Sequence, residues 1–329
     1  MSFPGILESS LREAGISAFG FLSGERLRAA CGSLPEETRS RYGVDRAKGA
    51  VAAALAYGEC PPYGDCPAPG EGLEPRPWAS GHPGPLARIA RFARANWYAE
   101  LSARLALAVA RSRAALREAG SDPAPANQWH HLVNSRLPEK RIALEAGLGR
   151  IGRHCLLMLP EAGSAAVLGV LLSPFSLPDS APPPQGILDA DCELCGACMA
   201  ACPTGALRGD GSLERELCVQ HWSSIPGALP SAVEAAWGDR LYGCDVCQEA
   251  CPRFRPDASA RTERGLLGPG LPASWVASAS EEEIRAALKG SALGMSWISV
   301  LALKRNARHL TEARPAHTIK ENGGLDGNH

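Results

Sequence analysis

Two periodicities run along this chain and set out its elements. Residues 4–14 suit a helix, and Gly15 can close it in the left-handed conformation that ends many helices. Ile16 to Leu22 and Gly49 to Tyr57 read as strands, the second apolar enough to be covered on both faces. Farther on, Leu86, Ile89, Ala93, Trp97, Leu101, Leu105 and Val109 recur every three or four residues. That spacing predicts an amphipathic helix from about Leu86, with arginines on much of its other face. A short helix around Pro138 to Glu145 and a buried strand over 165–173 complete this part.

Residues 60–85 (CPPYGDCPAPGEGLEPRPWASGHPGP) are rich in proline and glycine and read as loop, as do residues 120–128. The proline-rich stretch 174–186 marks a linker. A cysteine-rich segment then runs from about Ile187 to Pro252. Beyond it, Ser280-Glu-Glu-Glu283 forms a capping box that opens a helix, and Gly290 can terminate that helix. These signals divide the chain into an α/β domain (1–186), a cysteine-rich module (187–258), a helical segment (259–312) and a polar tail (313–329) expected to fray. No long repeat is present; the two cysteine motifs are a short, imperfect echo of one another.

With 329 residues, 45 % hydrophobic and 21 % charged, the chain can bury a core and is not disordered by composition. Its formal net charge of −1 exerts no global pull toward nucleic acid or an anionic membrane, although a local basic face is compatible with it. The N-terminus has no basic stretch followed by an apolar run, so no secretory signal is read there. The longest apolar stretch, near Ala165 to Leu172, is too short to span a bilayer. A soluble cytoplasmic protein is the expectation. In that compartment twelve cysteines argue for metal ligation or catalysis rather than disulfides.

Cys192-x2-Cys195-x2-Cys198-x3-Cys202-Pro203 is the run found in bacterial ferredoxins. Its first three thiolates grip one [4Fe–4S] cubane, and the fourth reaches across to another. The second motif, Cys244-x2-Cys247-x3-Cys251-Pro252, is one ligand short, and the isolated Cys218 supplies a replacement. Crossing the ligands as in two-cluster ferredoxins puts Cys192, Cys195, Cys198 and Cys251 on one cluster, and Cys202, Cys218, Cys244 and Cys247 on the other. Zinc also takes C-x2-C pairs, but the x2-x2-x3-C-P run is unusual for a four-ligand zinc site. Cys31, Cys60, Cys66 and Cys155 lie outside both motifs and read as free thiols.

Gly147-Leu-Gly149-Arg-Ile-Gly152 matches the dinucleotide fingerprint, which requires a strand before it and a helix after it. Here the order is reversed, since PEKRIALEA is helical and HCLLMLP strand-like. Nicotinamide cofactors are therefore rejected. The glycines suggest either backbone approaching something large or a helix-to-strand turn.

The order of these motifs is distinctive. EAGLGRIGRHCLLM, a proline-rich linker, CELCGACMAACPTGAL, a lone cysteine and then GDRLYGCDVCQEACP resemble the cobalamin-dependent epoxyqueuosine reductases, which complete queuosine in tRNA. The resemblance covers roughly Ile89 to Arg308 and is densest from Ala146 to Pro252. It implies a nitroreductase-like α/β domain related to that of reductive dehalogenases, holding base-off cobalamin, with a ferredoxin-like double-cluster module wired to cobalt. Gly147, Gly149, Gly152 and His154 are the cofactor-binding residues it implies, and tRNA and an external low-potential electron donor are the implied partners.

The sequence departs from the family at three places. The family's proton-donating aspartate sits in a V-D-S stretch, and the corresponding residues here are Val133-Asn134-Ser135. Asparagine cannot give up a proton at useful pH. The family's D-Y-H becomes Trp97-Tyr98-Ala99, which keeps the tyrosine, and the C-terminal helical repeats are not seen. Tyr98 and Asn134 are thus the expected catalytic pair, with His130, His131 (both expected on a polar loop) and Glu139 as other acids. Two further functions stay open at this level: an electron carrier without its own catalysis, and a related cobalamin reductase of another small electrophile.

Overall fold

The computed structural model describes residues 2–58, 85–182, 184–186, 188–192 and 194–312. Cys60, Cys66, nearly all of the 60–85 loop and the polar tail 313–329 lie outside these residues.

The chain opens with helix α1 (Phe3–Glu13), strand β1 (Ala18–Ser23), short helices α2 (Gly24–Ala30) and α3 (Glu36–Tyr42), and strand β2 (Gly49–Ala56). Strand β3 (Leu86–Ile89) precedes the long helix α4 (Trp97–Glu118), strand β4 (His130–Val133), helix α5 (Glu139–Glu145), the hairpin strands β5 (Arg150–Ile151) and β6 (Leu157–Met158), and strand β7 (Ala166–Ser173). The cysteine-rich segment holds helices α6 (Ala197–Ala201), α7 (Val219–Trp222) and α8 (Ser231–Ala235), strand β8 (Arg240–Tyr242) and helix α9 (Val246–Glu249). Strand β9 (Gly270–Pro272) and helices α10 (Ala273–Ser278), α11 (Glu281–Leu288) and α12 (Val300–Glu312) follow.

The first sheet is antiparallel, in the order β1-β2-β7-β4. Strand β2 is buried at all eight positions, as its unbroken apolar run predicts. Small residues let helices close on both faces. A side chain at Gly20 would collide with the carbonyl of Ala146, next to α5, and one at Gly169 would meet Leu101 of α4. Gly20 pairs with Ala52 and Gly169 with the adjacent Ala53, and neighbouring strand positions face opposite ways. So α4 covers one face and the α5 end covers the other. Leu101 and Leu105 of α4 are fully buried in this core, each contributing about 1.5–3 kcal/mol relative to exposure.

The helix expected from Leu86 begins instead at Trp97, where the Asn96 side chain accepts the Ala99 amide at 3.0 Å. Leu86–Ile89 is strand β3, with Ala87 and Ile89 fully buried and Leu86 42 % exposed. This strand is the centre of a second sheet, parallel to β8 and antiparallel to β9. Its partners lie far along the chain, so local spacing misread it. A second core gathers Ile89, Leu241, Leu271, Trp275, Ile284 and Leu303.

In the same way His130 and His131, expected on a loop, sit in β4 and pair with Leu172 and Leu171 of β7. The capping box at Ser280 is present, and Gly290 follows α11 at φ 79°. Helix α12 ties the second core to the cysteine-rich segment: buried Asn306 donates to the carbonyls of Ser223 at 2.9 Å and Leu241 at 2.8 Å. Among the described residues no helix is long and apolar enough to cross a membrane.

Candidate redox site

Where β2 ends and β7 begins, the first sheet faces the cysteine-rich segment across a cavity of about 720 Å³. Its size lies within the usual ~300–1,000 Å³ of small-molecule sites. From the sheet side it is lined by Tyr57, Tyr98, Asn134, Glu139, His154 and Val167, and from the other side by Cys202, Cys218, Cys244 and Cys247. Cys192, Cys195, Cys198 and Cys251 are absent from its lining. The four cysteines on the lining are those that ligand crossing assigns to one cluster.

Their mutual electrostatics follow the same division. Burial, followed by the charges of Cys192 and Cys251, holds the Cys198 thiol up. Burial and then Cys244 and Cys202 do the same to Cys218, with bonds from His221 and Gln220 opposing. Cys247 is pushed up by burial, then by Cys244, Cys218 and Cys202, with a smaller contribution from Cys198. At Cys202 burial is outweighed by hydrogen bonds from Thr204 and the amides of Ala206 and Leu207, which hold it below an ordinary thiol. Thiols raised in this way ionise together in a buried site only around compensating positive charge. Among the described residues no three His, Cys, Asp or Glu converge as a single metal ion requires.

The loop between β4 and α5 brings polar groups to the cavity. Asn134 occupies the left-handed region at φ 53°, which asparagine tolerates better than most residues. Glu139, in the first turn of α5, is fixed by its neighbour: Oε1 accepts the Ser135 amide at 2.9 Å and the Ser135 hydroxyl at 3.2 Å. Burial raises this carboxyl to about 7 against those bonds and one from the Asn134 backbone. Tyr98 lies at the start of α4, where burial, then Tyr242 and Glu139, push its phenol upward. His130 and His131 do not line the cavity.

His154 is 3 % exposed and lies in the turn between β5 and β6. Its Nδ1 accepts the Leu156 amide at 3.3 Å, so a neutral ring carries its proton on Nε2. That Nε2 has no partner. Burial, then Lys140, lowers the imidazole to about 4. The three glycines of the apparent fingerprint do not line the cavity. A side chain at Gly149 would collide with the Met158 carbonyl and one at Gly152 with the His154 ring, while Gly147 turns the chain at φ 78° against Ala181. They shape the hairpin that holds His154. Cys31 is fully buried with its thiol raised to about 11 by burial, Arg39 opposing. Cys155 lines the cavity with its Sγ 3.4 Å from Lys140 Nζ, a position the sequence did not reveal.

Comparison with known proteins adds the following. Residues 191–253 match the family described as a 4Fe-4S double cluster binding domain, as the cysteine spacing predicts. The epoxyqueuosine reductase of Salmonella typhimurium is 35 % identical over 163 residues, which is 47 % of this chain and 40 % of that protein. The chain therefore spans less than half the length of this relative. The solved structure of epoxyqueuosine reductase from Streptococcus thermophilus has the same fold, with a TM-score of 0.67 at 20 % identity over 92 % of this chain and 79 % of that one. An epoxyqueuosine reductase solved with an epoxyqueuosine-modified stem loop of a tyrosine tRNA aligns with a TM-score of 0.62 at 22 % identity, covering 92 % and 79 %. The resemblance read from the motifs is borne out in sequence and in fold.

Proposed function

We propose that this protein is a cobalamin-dependent reductase that passes electrons through two [4Fe–4S] clusters and converts epoxyqueuosine to queuosine in tRNA. The observation that carries this reading is the division of the cysteines. Cys202, Cys218, Cys244 and Cys247 face the cavity that also holds Tyr98, Asn134 and Glu139. Cys195, in the other set, is exposed. One cluster then meets an external low-potential one-electron carrier, and the other delivers electrons to the cavity.

The cavity fits cobalamin in its chemistry: apolar walls suit a corrin, and the unpartnered Nε2–H of His154 suits one of its peripheral amides. His154 and the hairpin bearing it would hold the cofactor within the nitroreductase-like part of the chain. When bound, cobalamin supplies a strongly reducing metal centre. The protein's own residues do the rest. Asn134 and Tyr98 hydrogen-bond and orient the substrate, and the tightly held phenolic proton of Tyr98 keeps it a donor. Apolar walls at Leu157 and Val167 exclude water. A plain electron carrier has no use for such a cavity.

Anaerobic reconstitution with iron, sulfide and cobalamin tests this reading. The protein should retain corrin through size exclusion, show a base-off cobalt signal by EPR, and convert epoxyqueuosine in a tRNA stem loop as read by mass spectrometry. Retained iron without retained corrin would favour the electron carrier. Both cofactors without conversion would favour another electrophile.

A further inference from the structure

Among the described lining residues Glu139 is the one carboxylic acid, and it enters the cavity beside the loop whose expected aspartate is missing. Its carboxyl is clamped. The amide and the hydroxyl of Ser135 both donate to Oε1, the Asn134 backbone also bonds to the carboxyl, and Ser135 Oγ in turn accepts the Leu137 amide at 3.1 Å. Tyr98 lines the same cavity, and the Glu139 charge adds to the burial that raises its phenol.

We propose that Glu139 is the acid that protonates the departing epoxide oxygen, in the role that Asn134 cannot fill. The assignment rests on the epoxyqueuosine reading above. Reduction breaks both C–O bonds of the three-membered ring, forms a carbon–carbon double bond and releases water. Two electrons arrive from the external carrier through the clusters. One proton comes from Glu139 and one from solvent, which also restores the Glu139 carboxyl.

Burial sets this carboxyl near neutrality, where an acid is both protonated and willing to give its proton. Tyr98 is less suited, since its environment makes the phenolate costly. The other titratable groups sharing the cavity are Tyr57 from β2's end, His154 and Cys155 from the hairpin, Lys140 and Arg141 on α5, and the four cluster-facing thiols. Of the two cations on α5, Lys140 donates to the Cys155 carbonyl at 2.6 Å and Arg141 pairs with Glu145 at 2.6 Å, so each has its own partner.

Glu139→Gln keeps the shape and the Ser135 contacts while removing the proton. In protein with full iron and corrin, conversion of epoxyqueuosine should fall by about 10²-fold or more. The wild-type rate should decline as pH rises through about 7, and the residual rate of the variant should lack that decline. A readout independent of turnover is the infrared carbonyl band of a protonated carboxyl in ¹³C-glutamate-labelled protein. It should titrate near 7 in wild type and be missing in Glu139→Gln. Wild-type turnover with an unchanged rate and pH profile in Glu139→Gln overturns the Glu139 assignment and leaves the epoxyqueuosine reading standing. Loaded wild type that converts no epoxyqueuosine overturns both. Should Glu139→Gln fail to hold its cofactors, the wild-type infrared titration decides, and the absence of a band titrating near neutrality overturns the proposal.

Discussion

Gln248 Nε2 donates to the Tyr57 hydroxyl at 3.1 Å, joining the residue after a cluster-facing cysteine to the end of the central strand β2. The same amide reaches the Ser164 carbonyl at 2.9 Å and hydroxyl at 3.2 Å, and all these groups are buried. One side chain therefore seals the sheet to the cysteine-rich segment at the rim of the cavity. Gln248→Leu should destabilise the loaded protein by about 1–3 kcal/mol, because Tyr57 and Ser164 lose a partner where water cannot replace it. Denaturant unfolding measures this. Adding Tyr57→Phe should return part of the loss, since a polar group that is no longer there cannot be left unsatisfied.

Cys218→Ala tests the ligand that sequence spacing left isolated. Cys218 lines the cavity and feels the charges of Cys244 and Cys202. Iron should fall from about eight per chain toward four or five, and the EPR signal of one cluster should change. Cys31→Ala, a substitution deep in the first core, should leave the iron content unchanged while lowering stability. Full iron in Cys218→Ala would remove that residue from the cluster.

These two tests also mark what could be read before any fold was known. The double-cluster segment was legible because thiolate spacing around a cubane is a local constraint. Strand β2 was legible from its unbroken apolar run. Strand β3 was not: Leu86, Ile89 and Ala93 fit a helical spacing that continues into α4, while the partners that make a strand are Arg240 to Tyr242 and Gly270 to Pro272. Glu139 was visible only as one of several alternative acids, at a helix start. Its clamp by Ser135 is local, but its burial depends on the meeting of α4, α5 and the cysteine-rich segment, which no local pattern records.

Two buried groups should give stability opposite dependences on pH. The folded state depresses His154 to about 4, so its contribution is present above about 6.5 and is lost as pH falls through 4. Glu139 is raised to about 7, so its contribution is present below about 4.5 and is lost as pH rises through 7. Unfolding midpoints measured from pH 4 to 8 should therefore lose acid-side sensitivity in His154→Gln and neutral-side sensitivity in Glu139→Gln. Curves for both variants parallel to wild type would mean that neither group is buried as found.

The division of labour among Tyr98, Asn134 and Glu139 gives the last prediction. If Tyr98 orients the substrate through a hydrogen bond, Tyr98→Phe should cost about tenfold in rate, the worth of one such bond, and should leave the pH profile in place. A loss as large as that of Glu139→Gln would return the acid role to Tyr98. Asn134 stands at φ 53°, a conformation that aspartate also adopts, so Asn134→Asp should keep the fold. It would place a second acid at the cavity. Turnover should rise in that variant, and Asn134→Asp combined with Glu139→Gln should recover much of the activity that Glu139→Gln alone loses. Recovery needs both positions to address the same oxygen. Failure of the double variant to exceed Glu139→Gln, with iron and corrin in place, would show that a carboxyl at residue 134 cannot reach the substrate in this chain.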